Sequence, residues 1–263
     1  MFLALAGCGE GDNGDSEAVV AAFYPLAWAA EQIVADGTDV VNVTPPGAEP
    51  HDVELSPRDV ETIRGAGLVL YVGGGFQPAV EDAVSEREGV TLDVLDGDSD
   101  PHVWLDPVRF ARIVGEVGRE AGRPEAAEEL AGELSELDSD YRRGLSRCAR
   151  WALVTSHAAF GHLAARYGLT QLALTGTSPE AEPSPRELER LIDDVRASGA
   201  TTVFAEPLVS DRVAETVARE VGVELAVLDP LEGLSEERLA AGEDYLSVMR
   251  ENLTALREAL GCR

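Results

Sequence analysis

Eight short apolar runs, most of them β-branched, alternate with segments of helical spacing, and this alternation limits the chain to few folds. AVVAAF, DVVNVT, GLVLYVG and VTLDVL lie before residue 100; WALVTS, LTQLALTG, TTVFAEP and VELAVLDP lie after residue 150. Between them run SPRDVETIRGA, QPAVEDAVSER, HAAFGHLAARYG, SPRELERLIDDVRASG and SDRVAETVAREVG, with cap or turn residues at their ends. Strands separated by helices return to the same edge and pair in parallel, with helices covering both faces. The expected class is α/β, with two lobes, each a parallel β-sheet flanked by helices.

Between the two blocks lies a helical stretch from Pro107 to Arg143. Phe110, Ile113, Val114, Val117, Leu130, Leu134, Leu137 and Tyr141 recur mainly at three- and four-residue spacing. Gly122-Arg123-Pro124 marks a kink or interruption in it. A final amphipathic segment, Ser235 to Leu260, is expected to pack on the second lobe.

Charge excludes several functions. Lys+Arg total 21 against 49 Asp+Glu, a net charge of −28, and there is no lysine. Such acidity argues against nucleic-acid binding. The carboxylates are spread along the whole chain, which fits a halophilic, salt-adapted surface better than a role in metal capture. A mean hydropathy of −0.07 argues against a polytopic membrane protein.

Only four histidines are present, and three sit in separate turn-rich motifs: His51 in PPGAEPHDVELSP, His102 in DPHVWLDP and His157 in TSHAAFGHLAARYGL. Imidazole is the usual neutral nitrogen ligand of zinc, and three of them call for one more anionic or water ligand. Asp229, at the end of the strand-like AVLDP, is the candidate for that position, because ligands of open α/β sheets bind at the carboxyl ends of strands. Asp106 reads as a helix N-cap before Pro107, and Trp104 as packing beneath the site. A zinc-dependent hydrolase would need an open metal position and a general base. Neither HExxH nor GxSxG is present, so hydrolysis is the weaker alternative.

These segments, with FYPLAWAAEQIVAD, TVFAEPLVS and DPLEG followed by DYLSVMRENLTAL, resemble the metal-binding lipoproteins of zinc/manganese ABC importers, the ZnuA/TroA-like (cluster A-I) solute-binding proteins. The resemblance runs from about Val19 to the last helix. It implies a TroA-like, chelatase-like fold in which one long backbone helix (107–146) joins an N-terminal metal-binding lobe (17–106) to a C-terminal one (147–263), behind a signal remnant and tether (1–16). It further implies a monomer that binds Zn²⁺ as transported ligand, with an ABC permease and its ATPase as partners. His51, His102, His157 and Asp229 are then the metal ligands, and Glu206 orients a ligand histidine. Manganese-type members carry a carboxylate at the position of His157. Imidazole is softer and suits zinc, with Mn²⁺ or another divalent metal as the alternative. His162 stands where the family usually has an aromatic residue. It lies about 140° around the helix from His157 and reads as a packing or hydrogen-bonding residue. The loop VLDGDSDPH replaces the long His-rich loop of many zinc-specific relatives. An adhesin or metal chaperone on the same fold remains open.

Leu5-Ala6-Gly7-Cys8 matches a lipobox, followed by the polar tether GEGDNGDSE. Cys8 is therefore expected to carry lipid and anchor an extracytoplasmic protein to the outer face of the cell membrane. That leaves Cys148 and Cys262 as a candidate disulfide; the alternative is two separate buried thiols.

Overall fold

The computed structural model describes residues 18–95, 97–179 and 183–263; Cys8, the tether and Asp96 lie outside them. The first lobe contains β1 (Val19–Ala21), α1 (Tyr24–Ile33), β2 (Val40–Asn42), α2 (Pro57–Gly65), β3 (Leu68–Tyr71), α3 (Pro78–Ser85) and β4 (Val90–Asp93). Two helices follow, α4 (Pro107–Glu120) and α5 (Pro124–Gly144). The second lobe contains β5 (Ala152–Thr155), α6 (Gly161–Tyr167), β6 (Thr170–Ala173), α7 (Pro185–Ser198), β7 (Thr202–Ala205), α8 (Arg212–Val221) and β8 (Glu224–Val227), and the chain closes with α9 (Glu236–Ala240) and α10 (Tyr245–Leu260).

All eight apolar runs form strands. Their sheets have orders β2-β1-β3-β4 and β6-β5-β7-β8, with every pair parallel. The orders correspond position by position, so each half is the same α/β unit. The inner strands β1 and β7 are wholly buried, while the edge strands β4 and β8 are partly exposed. Local signals place the helices: Ser56 with Asp59, and Ser184 with Glu187, form capping boxes at the starts of α2 and α7.

After Pro107 the one long helix implied by the resemblance is absent, and Gly122-Arg123-Pro124 interrupts the stretch rather than kinking it, giving two helices. Gly122 adopts a left-handed φ of 66°, the Arg123 N–H bonds back to Gly118 O at 2.7 Å, and Pro124 opens a new helix. The chain reverses and α5 packs on α4 at close range. A Cβ built on Gly118 would lie 2.3 Å from the Ala127 Cβ, so only glycine fits there. At 1.5 Å per residue α5 spans about 32 Å, and it leads from the first lobe into the second.

The last helix also differs. Rather than resting on the second lobe alone, α10 crosses back. Tyr245 stacks on Trp28 of α1 (ring centroids 4.9 Å apart) and packs against Phe110 of α4, and Tyr141 of α5 donates to Met249 O at 2.7 Å. At its other end Ala149 and Arg150 donate to Leu260 O, and Cys148 is disulfide-bonded to Cys262. Two elements, α5 and α10, therefore tie the halves together, and the largest apolar core contains residues of both lobes. No helix among the described residues is long and apolar enough to cross a membrane.

Candidate metal centre

Each of the three histidines leaves the carboxyl end of a strand. His51 sits on a 3-10 turn, Pro50–Asp52, in the loop after β2; His102 closes the loop after β4; His157 follows β5. The two sheets present these ends to one another, so residues 106 positions apart in sequence meet. The His102 and His157 Nε2 atoms are 3.3 Å apart, and both rings are fully buried.

The fourth partner is Glu232, not Asp229. Glu232 Oε1 lies 3.3 Å from His51 Nε2, 3.1 Å from His102 Nε2 and 3.2 Å from His157 Nε2. One donor atom from each of the four residues falls within 4.8 Å of every other. A tetrahedral zinc with bonds of 2.0–2.1 Å needs donor separations of about 3.3–3.4 Å. Four of the donor pairs stand at 3.1–3.3 Å, close to that spacing, so the residues present fit such an ion.

Asp229 is turned away. Its Oδ2 pairs with Arg238, its Oδ1 accepts from Leu231 N–H at 2.7 Å, and its backbone exchanges hydrogen bonds with the Asn252 side chain. Burial pushes its carboxyl up to about 6 even with Arg238 beside it. Its work is to shape the turn. Leu231 takes a φ of 56°, the one positive value at a described non-glycine residue. Such a conformation costs energy and clusters at functional sites. Here it carries the chain round so that Glu232, three residues beyond Asp229, enters the cleft.

Outer partners hold two of the rings. Asp100 Oδ1 lies 2.8 Å from His102 Nδ1 and also accepts from the His102 backbone N–H. Glu206 accepts from the His157 backbone N–H at 3.0 Å through one oxygen and meets His157 Nδ1 with the other. A carboxylate on the far nitrogen fixes the tautomer and turns Nε2 toward the centre. Burial alone would lower the His157 pKa, yet Glu206 and Glu232 together lift it to about 10. Burial likewise opposes ionisation of Glu232, but the three imidazoles outweigh it and hold that carboxyl well below its ordinary value.

The remaining expected residues fall around the cluster. Trp104 packs its ring 5.2 Å from that of His102 and donates Nε1–H to Pro230 O at 2.8 Å, which ties the His102 loop to the Glu232 loop. Asp106 caps α4 by accepting from Val108 and Arg109 N–H. His162 is outside the cluster; its Nε2 lies 3.0 Å from Asp100 O, steadying from α6 the loop that orients His102. Phe76, not singled out in the sequence, presents its ring to His51 at 4.4 Å.

Two parallel-sheet lobes with loops converging between them define the two-lobed TroA-type class. The structure of the periplasmic zinc binding protein TroA from Treponema pallidum superposes with a TM-score of 0.81 at 22% identity, covering 94% of this chain and 100% of that one. The chain belongs to the ZnuA family, described as zinc-uptake complex component A, periplasmic, which matches residues 19–259. It is similar to the high-affinity zinc uptake system protein ZnuA of Bacillus subtilis, at 31% identity over 98% of this chain and 94% of that protein. It is also similar to the solved Zn(II)-bound ZnuA-like domain of Streptococcus pneumoniae AdcA, with TM-score 0.76 and 35% identity, covering 92% and 98% of the two chains. The zinc-binding protein AdcA of Streptococcus pyogenes is 32% identical over 91% of this chain, which spans only 55% of that relative's length.

Proposed function

We propose that this chain is the extracytoplasmic solute-binding component of an ABC metal importer, holding one Zn²⁺ between His51, His102, His157 and Glu232 and delivering it to a membrane permease driven by its ATPase. The observation that carries this reading is the approach of three imidazole nitrogens to one buried carboxylate oxygen at 3.1–3.3 Å. Four protein donors close a tetrahedral site, which suits holding an ion rather than activating water. Three nitrogens favour zinc over manganese, which prefers oxygen-rich sites. Relatives named as zinc-binding and zinc-uptake proteins support the same cargo.

Isothermal titration of the metal-free chain in high salt should show one Zn²⁺ per chain. Proton release on binding is expected, since ligands must be deprotonated, and manganese should bind more weakly. No binding, or several equivalent sites, would sink the assignment.

The extracytoplasmic placement extends to an anchor. A relative in Streptococcus pneumoniae is named a zinc-binding lipoprotein, and Cys8 follows Leu-Ala-Gly before a polar tether, so Cys8 is proposed to carry lipid. Cell fractionation should find wild type with the membrane and Cys8→Ala released from it. Equal membrane retention of the two would place the anchor elsewhere.

A further inference from the structure

Glu49 is a buried carboxylate that the four-donor cluster does not use. Its side chain is 13% exposed, and both oxygens are closed off from solvent with no hydrogen-bond partner among the described residues. Burial pushes this carboxyl above its ordinary range, with His51 the neighbour that opposes the shift, and a buried carboxyl oxygen without a close hydrogen-bond donor calls for an explanation. The surroundings of Glu49 supply one. On one side Glu49 lines a cavity of 300 Å³ between the lobes, together with Ser156, Thr175, Leu208 and Val213. On the other its Oε1 stands 4.0 Å from His51 Nε2, the same nitrogen that Glu232 approaches to 3.3 Å. Two metal–ligand bonds of about 2.0–2.2 Å reach across a gap of that size.

We infer that Glu49 is a waypoint ligand, a second and transient metal position on the path between the interlobe cavity and the four-donor cluster. Resting on the zinc reading above, the inference assigns Glu49 and His51 as the pair that holds the ion between the cavity and the cluster. The ion then moves inward as Glu232, His102 and His157 replace Glu49, while His51 stays bound throughout. Release follows the reverse order. The carboxylate spares the dication a step in which it has shed water but gained no anionic ligand. Because a waypoint lowers the barrier in both directions, it alters both rates more than it alters the equilibrium.

Stopped-flow mixing with a chromogenic zinc chelator tests this. Glu49→Gln should slow both zinc uptake and zinc release, uptake by about tenfold, the scale on which residues touching a metal's ligands act, and Kd should weaken by less than uptake slows, since the lost charge also stood near the bound ion. Glu49→Asp, which keeps the charge, should recover part of both rates. Wild-type rates in Glu49→Gln would overturn the inference. So would a weaker Kd with faster release, which marks a permanent ligand or a structural prop, and so would Glu49→Asp rates no faster than those of Glu49→Gln. Failure of wild type to bind zinc would sink the parent reading instead, and this one with it.

Discussion

Zinc binding should collapse in Glu232→Ala and survive in Asp229→Asn. Glu232 Oε1 is the only carboxylate oxygen within 3.3 Å of all three imidazole Nε2 atoms among the described residues. Removing it takes away the one carboxylate oxygen that all three imidazoles share. Asparagine at 229 keeps an oxygen for the Leu231 N–H and loses only the Arg238 pair. Competition against a chromogenic chelator should show Glu232→Ala weakened by more than about 100-fold, beyond the 10–100-fold range typical of residues that merely orient ligands. Asp229→Asn and His162→Ala should stay within that range, and His51→Ala, His102→Ala and His157→Ala should fall with Glu232→Ala. Equal losses in Asp229→Asn and Glu232→Ala would return Asp229 to the ligand set.

The second large effect concerns stability. Cys148 and Cys262 close a loop of 114 residues, and in the chain-entropy account a cross-link of that span stabilises by about 4–5 kcal/mol. Thermal unfolding of the Cys148→Ser/Cys262→Ser variant should therefore fall by about 10 °C for a chain of this size. Zinc stoichiometry should persist, because the backbone bonds from Ala149, Arg150 and Arg263 still hold the end of α10 in place and the bridge is remote from the cluster. An unchanged melting temperature in the variant would show that those backbone contacts, rather than the bridge, secure the terminus.

Both expectations depend on features of different visibility. The eight strands could be read from short β-branched runs between capped helices, because alternation of that kind is a local property of the chain. His51, His102 and His157 could be read because histidine is scarce here and each one sits at a strand-end turn. Glu206 was reached only through the family resemblance; it accepts from the His157 backbone N–H and meets the His157 ring. The reversal after α4 was only half visible. Gly122 and Pro124 announce a break, but whether a break becomes a bend or a full turn depends on two faces meeting, here Gly118 against Ala127.

Asp229 and Glu232 mark the boundary most sharply. Both are acids in DPLEG, and strand-end position alone favours the first. Which one enters the cleft is settled by Arg238, nine residues on, by Asn252 on α10, and by the left-handed Leu231 between them. The choice of acid is a sum over contacts that no local pattern contains. The placement of Glu49 between His51 and a cavity lined by second-lobe residues likewise exists only in the folded chain. Patterns with a period of two or four residues are written into the chain and survive without a fold. The identity of a ligand depends on directions in space, and those appear only when distant loops are held against one another.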